Sequence, residues 1–313
     1  EVTDTVLTVR HCQPFDVFED AYVDTGIFIY SRETQPEYKF FAFGKKTKIE
    51  SIKEIPFATI NTSDINASNY KLIYNNSLNE ILKRFNNNNY LELGKISIST
   101  QGLSGSRFVE VSTAKGKWIL PFIQVTVKRY FFQEEKRYFV DLENLKSLYQ
   151  FYTGEEKILI RRIINRQDRI DATFYNIEGV FKKDVNPFMI SDKSINTKYV
   201  LGLINSKFFS WLYVNTSSIA TKDDFRQTTL AELRKLPIKL IDEKNKTEKS
   251  LHDEIVKLVE TMLQLNEEKQ QTTLPDQLDQ LNARIKYTDD KINKLVYQLY
   301  GLSEEEIGIV EGK

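Results

Sequence analysis

The chain has 313 residues, of which 41% are hydrophobic and 28% are charged, with equal numbers of basic and acidic side chains. This length and apolar content suffice for two domains, or for one large domain with an appendage. No run approaches the ~20 apolar residues that cross a bilayer, and the first residues lack the basic and apolar regions of a signal peptide. The composition therefore predicts a globular cytoplasmic protein and excludes a membrane-spanning chain.

Cysteine and histidine are rare in this chain. Cys12 is the single cysteine and can form no disulfide within the chain, which fits a reducing compartment. His11 and His252 are the only histidines, so thiols and imidazoles are too few for a typical zinc site. We therefore expect no zinc chemistry.

The formal net charge of zero hides an uneven distribution. Residues 115–169 carry twelve Lys and Arg against seven Asp and Glu, a net charge of +5, whereas residues 242–313 carry ten against sixteen, a net charge of −6. A basic centre beside an acidic tail suits a protein that holds phosphate with one region and keeps the other away from it. Two ordinary solvated surfaces would give the same distribution.

In chain order, the first predicted elements are β-strands. Residues 21–30 and 38–43 are rich in aromatic and β-branched residues, and a charged turn containing Pro36 separates them, which predicts a β-hairpin. A short helix is expected over residues 77–84. The polar tract Asn86–Asn89 after it is typical of a linker at a domain boundary.

Residues 90–99 are then expected to form one apolar strand, which leads into a polar loop with Gly102 and Gly105. Glycine allows backbone amides to approach a phosphate group closely, so this loop is a candidate contact with nucleic acid. Its candidate residues are Gln101, Ser104, Ser106 and Arg107. A plain surface turn with both glycines at positive φ explains the loop equally well.

The strongest contact candidates follow in the basic centre. Residues 118–132 are strand-like and interrupted by two basic residues, and residues 157–164 form an apolar strand that carries two arginines. Arginine can donate to O6 and N7 of guanine or to phosphate, and asparagine and glutamine can pair with N6 and N7 of adenine. The candidate residues here are Lys128, Arg129, Arg161, Arg162, Asn165, Arg166, Gln167 and Arg169. Arginines paired with carboxylates on an edge strand would give the same pattern.

Residues 198–212 have apolar side chains at helical spacing, which predicts one helix packed against the sheet. A polar and basic loop, residues 215–229, follows it and precedes a strand at residues 236–241. The loop is a second candidate region because its side chains suit both backbone and base contacts. Its candidate residues are Lys222, Arg226 and Gln227.

Two heptad-patterned segments close the chain. The first apolar stripe consists of Leu251, Ile255, Leu258, Met262 and Leu265. The second consists of Leu278, Leu281, Ile285, Thr288, Ile292, Leu295 and Leu299, in which threonine is the one residue that is not apolar. Pro275 suits the first turn of the second helix. The pattern predicts an antiparallel helical hairpin, which fits both a pair of helices that cap a core and a spacer between domains.

No catalytic site is evident in the sequence. Asp184–Met189 resembles the Asn-Pro-Pro-Tyr tetrapeptide with which adenine methyltransferases hold a flipped adenine, but one proline is missing and no Gly-x-Gly cofactor loop follows a strand. Residues 134–136 resemble the acid-lysine set of metal nucleases without a convincing second acid. We therefore expect no catalytic residue and no bound metal in this chain.

The order of these parts resembles the C-terminal target-recognition region of adenine methyltransferases in restriction-modification systems, the TaqI-like specificity domain. The resemblance spans roughly residues 15–310, and its sharpest pieces are Gly202–Ser206, Leu236–Ile238 and Leu295–Leu302. Residues 18–27 are similar to the run that closes the methyltransferase domain in this family. The chain is therefore expected to begin inside a catalytic domain whose body lies outside it, which agrees with a first residue that is not methionine.

The resemblance implies an α+β fold in four parts. The expected parts are a short β-hairpin that ends the methyltransferase domain (residues 1–60), a helical linker (61–89), a mixed, β-rich target-recognition domain (90–241) and an antiparallel helical hairpin (242–313). The hairpin is expected to fix the orientation of the recognition domain toward the catalytic domain.

The implied function is sequence-specific recognition of double-stranded DNA for an adenine-N6 methyltransferase, with or without a fused nuclease as in type IIG enzymes. S-adenosylmethionine, and Mg²⁺ for a nuclease, would bind outside this chain, which should be inactive alone. The alternative from another class is a protein-interaction or scaffold module that dimerises through its helical hairpin. A standalone type I specificity subunit fits less well, because the chain has one recognition region and one hairpin.

Overall fold

The computed structural model describes residues 5–11, 26–31, 35–42, 58–62, 76–85, 87–104, 108–154, 156–217 and 226–312. The chain divides into two compact units, residues 1–86 and 87–313, and each is described by itself. Both units contain helices and β-sheet, so the α+β class predicted from the sequence is confirmed. No helix in these described ranges is long and apolar enough to span a membrane.

The first unit contains a four-stranded sheet. Its strands are β1 (Thr5–His11), β2 (Gly26–Ser31), β3 (Glu37–Ala42) and β4 (Ala58–Asn61), in the order β2-β1-β3-β4. The β-hairpin predicted over residues 21–43 is wrong, because β1, a segment rich in threonine and valine, pairs antiparallel with β2 and parallel with β3 and lies between them. Helix α1 (Asn76–Lys83) is shifted by one residue from the helix expected over residues 77–84.

The second unit contains two four-stranded sheets and one two-stranded pair. The pair consists of β5 (Tyr90–Glu92) and β14 (Pro237–Lys239). The β10 sheet consists of β6 (Ser97–Ser99), β10 (Lys157–Arg161), β11 (Ala172–Tyr175) and β13 (Val185–Ile190), in the order β11-β10-β13-β6. The β8 sheet consists of β7 (Val109–Val111), β8 (Ile119–Lys128), β9 (Phe131–Asp141) and β12 (Val180–Phe181), in the order β12-β8-β9-β7.

The single strand predicted over residues 90–99 is interrupted in the structure. One helical turn, α2 (Leu93–Ile96), separates β5 from β6, and its first and last side chains are fully buried. The Gly94 amide donates a hydrogen bond to the Arg234 carbonyl (2.9 Å). The turn allows the chain to leave the two-stranded pair and enter the β10 sheet, whereas a continuous apolar strand would remain in one sheet.

The main core of the second unit lies between its two four-stranded sheets and helix α3 (Lys146–Thr153). Its buried side chains include Phe122 of β8, Tyr152 of α3, Leu159 of β10 and Phe181 of β12. Full burial of such an apolar side chain contributes about 1.5–3 kcal/mol relative to its exposure. The core therefore holds the two sheets, and the loops that leave them, in fixed relative positions.

The helix predicted over residues 198–212 is two helices, α4 (Thr197–Asn205) and α5 (Lys207–Thr216). They meet at Ser206, whose backbone is extended (φ −68°, ψ 157°) and whose hydroxyl accepts a hydrogen bond from the Phe209 amide (3.2 Å), which caps α5. Both helices are largely buried. The apolar spacing consequently continues across the break and conceals it in the sequence.

The closing helices, α7 (Lys246–Gln271) and α8 (Pro275–Leu299), pack against each other and are joined by residues 272–274. Short helices precede and follow this region, α6 (Leu230–Leu233) and α9 (Glu304–Glu311). Leu258 and Leu295, which the heptads placed in the seam, are only half-buried, and Val259 and Val296 beside them are fully buried. The reason is that α7 also packs on α4, and α8 on α5.

Gly102→Ala is expected to destabilise the second unit. A Cβ at this position would lie 2.1 Å from the Lys182 carbonyl oxygen, a backbone atom that cannot move without the residues beside it. Forcing such a contact lowers the free energy of unfolding by about 1–3 kcal/mol. The matched control is Gly308→Ala in α9, where nothing lies within 4 Å of the added methyl. Denaturant unfolding measures both variants, and equal stability would contradict the packing.

Candidate nucleic-acid interface

Four backbone segments of the second unit form one continuous edge. Amide-to-carbonyl hydrogen bonds connect them, from Lys183 to Leu103 (3.1 Å), from Arg162 to Asp184 (2.9 Å) and from Thr228 to Arg162 (2.6 Å). We call residues 100–104, 161–168, 182–184 and 226–228 the polar edge. It combines parts of three regions that are more than forty residues apart in the sequence.

The turn between β10 and β11 is shaped by Asn165. Its side-chain oxygen accepts hydrogen bonds from the amides of Gln167 (2.9 Å) and Arg169 (3.0 Å), and its side-chain nitrogen donates to the Asp171 carboxylate (3.0 Å). Asp168 completes the turn with a left-handed backbone (φ 57°), a conformation that aspartate and asparagine tolerate. Asn165 therefore supports the turn and is not one of its outward-facing side chains.

Arg166 and Gln167 occupy the tip of this turn, and both are exposed. The Arg166 guanidinium forms no ion pair with any carboxylate of the described residues. Guanidinium groups bind phosphate and guanine through parallel N–H donors. The tip therefore presents a cation and an amide that can both reach a ligand.

Arg162 and Gln227 are neighbours beside this turn. The Arg162 Nε donates a hydrogen bond to the Gln227 Oε1 (3.2 Å). Gln227 lies directly opposite Ile163 in an antiparallel bridge, and Arg162 and Gln227 are both partly exposed. A guanidinium has five N–H donors, so this bond leaves the terminal nitrogens of Arg162 able to donate.

Two further arginines of the polar edge are held by carboxylates. Arg161 Nη1 lies 3.5 Å from the Asp171 carboxylate, and Arg226 Nη1 is in close contact with the Asp168 carboxylate. Burial raises the pKa of Asp171, while hydrogen bonds and charge from Asn165 and Arg161 act in the opposite direction. These two arginines therefore bind a further anion only by sharing or exchanging their present partner.

The structure directs Arg129 and Arg169 toward helix α8, with Arg129 half-buried and Arg169 buried. Arg129 Nη2 lies 2.7 Å and Arg169 Nη1 lies 3.9 Å from the same oxygen of Asp289 in α8. Arg169 Nη2 also donates to the Asn205 carbonyl (2.5 Å), and burial lowers the pKa of Arg169 to about 10. Only 11% of the Arg169 side chain is exposed, so its placement differs from the expected surface contact and indicates a structural anchor.

The remaining candidate residues are dispersed. Lys128 is exposed at the β8–β9 turn, with its Nζ 6.0 Å from the centre of the Phe131 ring. Gln101 is exposed and Ser104 is half-buried on the polar edge. Ser106, Arg107 and Lys222 lie outside the described residues. Sequence reasoning missed Lys183 and Ile163, which are both exposed on the polar edge. The sequence signal for Lys183 was the pair of lysines before β13, and the signal for Ile163 was its position directly after two arginines.

The glycine loop differs from both explanations that the sequence offered for Gly102. Its amide donates to the Val185 carbonyl (3.1 Å), so this amide is not available to a phosphate group. Gly102 also has no positive φ. Glycine is required because the backbone of Lys182 leaves no room for a Cβ.

Comparison with known proteins identifies the family of this chain. A family model described as the TaqI-like C-terminal specificity domain matches residues 60–238, more than half of the chain. The chain belongs to this family. The resemblance inferred from the sequence pattern is thereby confirmed.

The chain is 36% identical over 301 residues to RM.MjaORFECS2P of Methanocaldococcus jannaschii, which is named as a candidate type II restriction enzyme and methyltransferase. The match covers 92% of this chain and 24% of that protein, so the chain spans about a quarter of its relative's length.

Two solved structures are also similar. The type IIL restriction-modification enzyme MmeI in complex with DNA has a TM-score of 0.48 and 10% identity, with 99% of this chain and 45% of that chain covered. The HsdS subunit of Thermoanaerobacter tengcongensis has a TM-score of 0.29 and 12% identity, with 75% and 47% covered.

Two of the pieces on which the resemblance was based, Leu236–Ile238 and Leu295–Leu302, meet at strand β14, where Tyr199 of α4 joins them. The Tyr199 hydroxyl donates to the Lys239 carbonyl (2.9 Å). The Tyr300 hydroxyl donates to the Pro237 carbonyl (2.8 Å) and accepts from the Lys239 amide (3.1 Å). Burial raises the pKa of both tyrosines, so the hydroxyls stay protonated as these bonds require. These pieces tie α4, α8 and β14 together.

The third piece, Gly202–Ser206, contains Asn205, which is fully buried. Its side chain pairs with both backbone groups of Ala172 in β11, accepting from the amide (3.0 Å) and donating to the carbonyl (2.9 Å). The end of α4 is thereby attached to β11, the strand that follows the β10–β11 turn. The sequence signal for this role was an asparagine at the end of an apolar helical segment.

The described residues do not fit a methyltransferase active site. Asn186, in the segment that resembles the adenine-binding tetrapeptide, is buried in β13 and donates to the Thr228 hydroxyl (3.2 Å). Gly102, in the described part of the glycine loop, offers no amide to a cofactor such as S-adenosylmethionine, because that amide is bonded within the fold. Among all the residues that the structure describes, no group of three or more His, Cys, Asp or Glu side chains could hold a metal ion. We assign no chemical step to these residues.

Proposed function

We propose that the polar edge of this specificity domain recognises a short sequence in double-stranded DNA. The observation that carries the proposal is the presence of Arg162, Arg166, Gln167 and Gln227 together on one exposed edge. Arginine suits guanine or phosphate, and glutamine suits adenine, so this set can both position the duplex and read its bases. Membership in a specificity-domain family supports the same function and does not favour the scaffold alternative.

The whole protein, in this proposal, is a site-specific adenine-N6 DNA methyltransferase, with or without a fused nuclease. The name of the relative from Methanocaldococcus jannaschii supports this part of the proposal. S-adenosylmethionine, and Mg²⁺ for cleavage, would bind to a catalytic domain whose body lies outside this chain. Residues 1–60 would end that domain, residues 61–89 would link it to the recognition domain at 90–241, and the helices of 242–313 would act as a spacer.

The helical hairpin would set the orientation of the polar edge. Asp289 of α8 contacts arginines from two different turns, the β8–β9 turn through Arg129 and the β10–β11 turn through Arg169. The second of these turns carries Arg166 and Gln167 at its tip. A movement of α8 would therefore be transmitted to the residues that we assign to DNA.

Fluorescence anisotropy of a labelled, randomised duplex over a salt series tests the proposal. We expect affinity to fall steeply as salt rises, because each Lys or Arg at a phosphate releases counterions, and we expect selection from the same pool to enrich a short motif. The control is the same titration with the duplex replaced by a neutral polymer. A chain that sediments as a tight dimer and shows no salt-dependent binding would favour the scaffold alternative.

Asp168→Asn is expected to strengthen binding to DNA of any sequence. The Asp168 carboxylate is in close contact with Arg226, so its removal frees one guanidinium for a phosphate, while asparagine still tolerates the left-handed backbone. One additional phosphate contact steepens the plot of log affinity against log salt by about 0.9. Asp279→Asn, which removes the same charge from an exposed position of α8, is the control and should leave this slope unchanged. An unchanged slope in both variants would remove Arg226 from the DNA contacts.

A further inference from the structure

Ile163 is the one large apolar side chain of the polar edge that is exposed among its described residues. Its exposed fraction is 42%, whereas Ile158, Leu159 and Ile160 of the same chain segment are fully buried and Ile164 is nearly so. The residues around it on the edge are arginines and glutamines, which suit DNA. An exposed apolar side chain within such a set can pack against an apolar group of the same ligand.

The backbone hydrogen bonds place Ile163 beside Gln227. The Thr228 amide donates to the Arg162 carbonyl (2.6 Å), and the Ile164 amide donates to the Arg226 carbonyl (3.0 Å). These two bonds flank the Ile163–Gln227 bridge, so the two residues form the closely spaced, non-hydrogen-bonded type of antiparallel pair. Side chains of such a pair share one face of the ladder, with Cβ atoms about 4.5–5.5 Å apart.

The orientation of the Gln227 amide is determined by its partner. Arg162 Nε can only donate, so the Gln227 atom that it contacts at 3.2 Å must be the carbonyl oxygen. The NH₂ group of Gln227 then points away from Arg162 with its donors available. Ile163 and Gln227 therefore present a methyl-binding surface and a hydrogen-bond donor side by side.

We propose that Ile163 and Gln227 together read one thymine in the major groove, an inference that rests on the proposed function. Thymine presents the O4 acceptor and the C5-methyl group next to each other on its major-groove edge. The Gln227 Nε2 donates to O4, and Ile163 packs on the methyl. Cytosine would face the Gln227 donor with its own N4 donor, and guanine and adenine have acceptors but no methyl, so thymine alone among the four bases satisfies both side chains.

The experiment starts from the duplex that this chain enriches from a randomised pool. Each thymine of the enriched motif is replaced in turn by deoxyuridine, which removes the methyl and keeps O4, and the dissociation constant is measured by anisotropy. For the unaltered chain, one position should lose affinity about three- to fivefold, the value of one apolar methyl contact. In Ile163→Ala, the same replacement should change affinity less than 1.5-fold, roughly the limit of the measurement, and Ile163→Val should retain most of the effect.

Ile177→Ala, at another exposed isoleucine of the same unit, is the matched control and should keep the full sensitivity to deoxyuridine. Circular dichroism and thermal unfolding show whether each variant is folded. An enriched motif in which no thymine is sensitive to loss of its methyl would overturn this inference and leave the proposed function intact. The same holds if Ile163→Ala keeps the sensitivity. Failure to enrich any motif would overturn the proposed function and this inference with it.

Discussion

Replacing Asp289 with alanine is expected to lower the free energy of unfolding of this chain by about 3–5 kcal/mol. Asp289 contacts both Arg129 and Arg169, and each of these side chains is at most one-fifth exposed. Removing the carboxylate leaves two guanidinium groups close together in the interior without their counter-charge. Urea denaturation followed by circular dichroism measures the change.

Asp290→Ala is the matched control for this prediction. Asp290 is the next residue of the same helix and pairs with Lys286, whose side chain is 79% exposed. Exposed pairs of this kind contribute about 0–1 kcal/mol, so the control should be nearly as stable as the parent chain. Equal losses in the two variants would show that the two arginines do not depend on Asp289. If α8 orients the β10–β11 turn, Asp289→Ala should also weaken DNA binding under conditions in which the variant is still folded.

Replacing Arg162 and Arg166 separately with alanine is expected to give two different patterns of lost DNA affinity. Arg162 is held against Gln227 at a distance of 3.2 Å, and such a positioned guanidinium suits a base edge. Its loss should weaken binding to the selected motif by about 1–3 kcal/mol and change binding to random DNA little. Arg166 at the tip of the turn suits a phosphate, so its loss should weaken binding to all sequences and reduce the salt slope by about one.

Lys286→Ala serves as the control for these two variants, because it removes an equal charge from the exposed surface of α8. Competition with random duplex, measured at several salt concentrations, separates the two patterns. Unchanged affinity in both arginine variants would remove the polar edge from the DNA interface. Arg161 forms an ion pair with Asp171, and for this reason we expect a smaller effect from its replacement than from that of Arg162.

Sequence reasoning identified the arginines of the basic centre without distinguishing their environments. Arg166 and Arg169 are three residues apart, yet one lies exposed at the tip of a turn and the other is nearly buried against Asn205 and Asp289. Both partners of Arg169 come from later helices. A residue's own sequence neighbours contain no information about such a distant carboxylate, so the buried anchor could not be predicted.

Local patterns were also incomplete where elements end. Ser206 interrupts a helical pattern whose apolar spacing continues, because α4 and α5 are both buried. The strand β1 lies between two strands that follow each other in the sequence, since pairing in a sheet depends on long-range contacts. Periodicity shows which face of one helix or strand is apolar, but it does not show which other element packs against that face.

The sequence by itself determined the α+β class and the family, because family pieces such as Gly202–Ser206 and Leu236–Ile238 keep their order along the chain. Side chains in or beside those pieces hold the fold: Asn205 binds β11, and Tyr300 binds the backbone of β14. Only the tertiary structure decided which polar residues face outward together. The polar edge is assembled by hydrogen bonds between segments that are distant in the sequence, and its composition follows from that pairing.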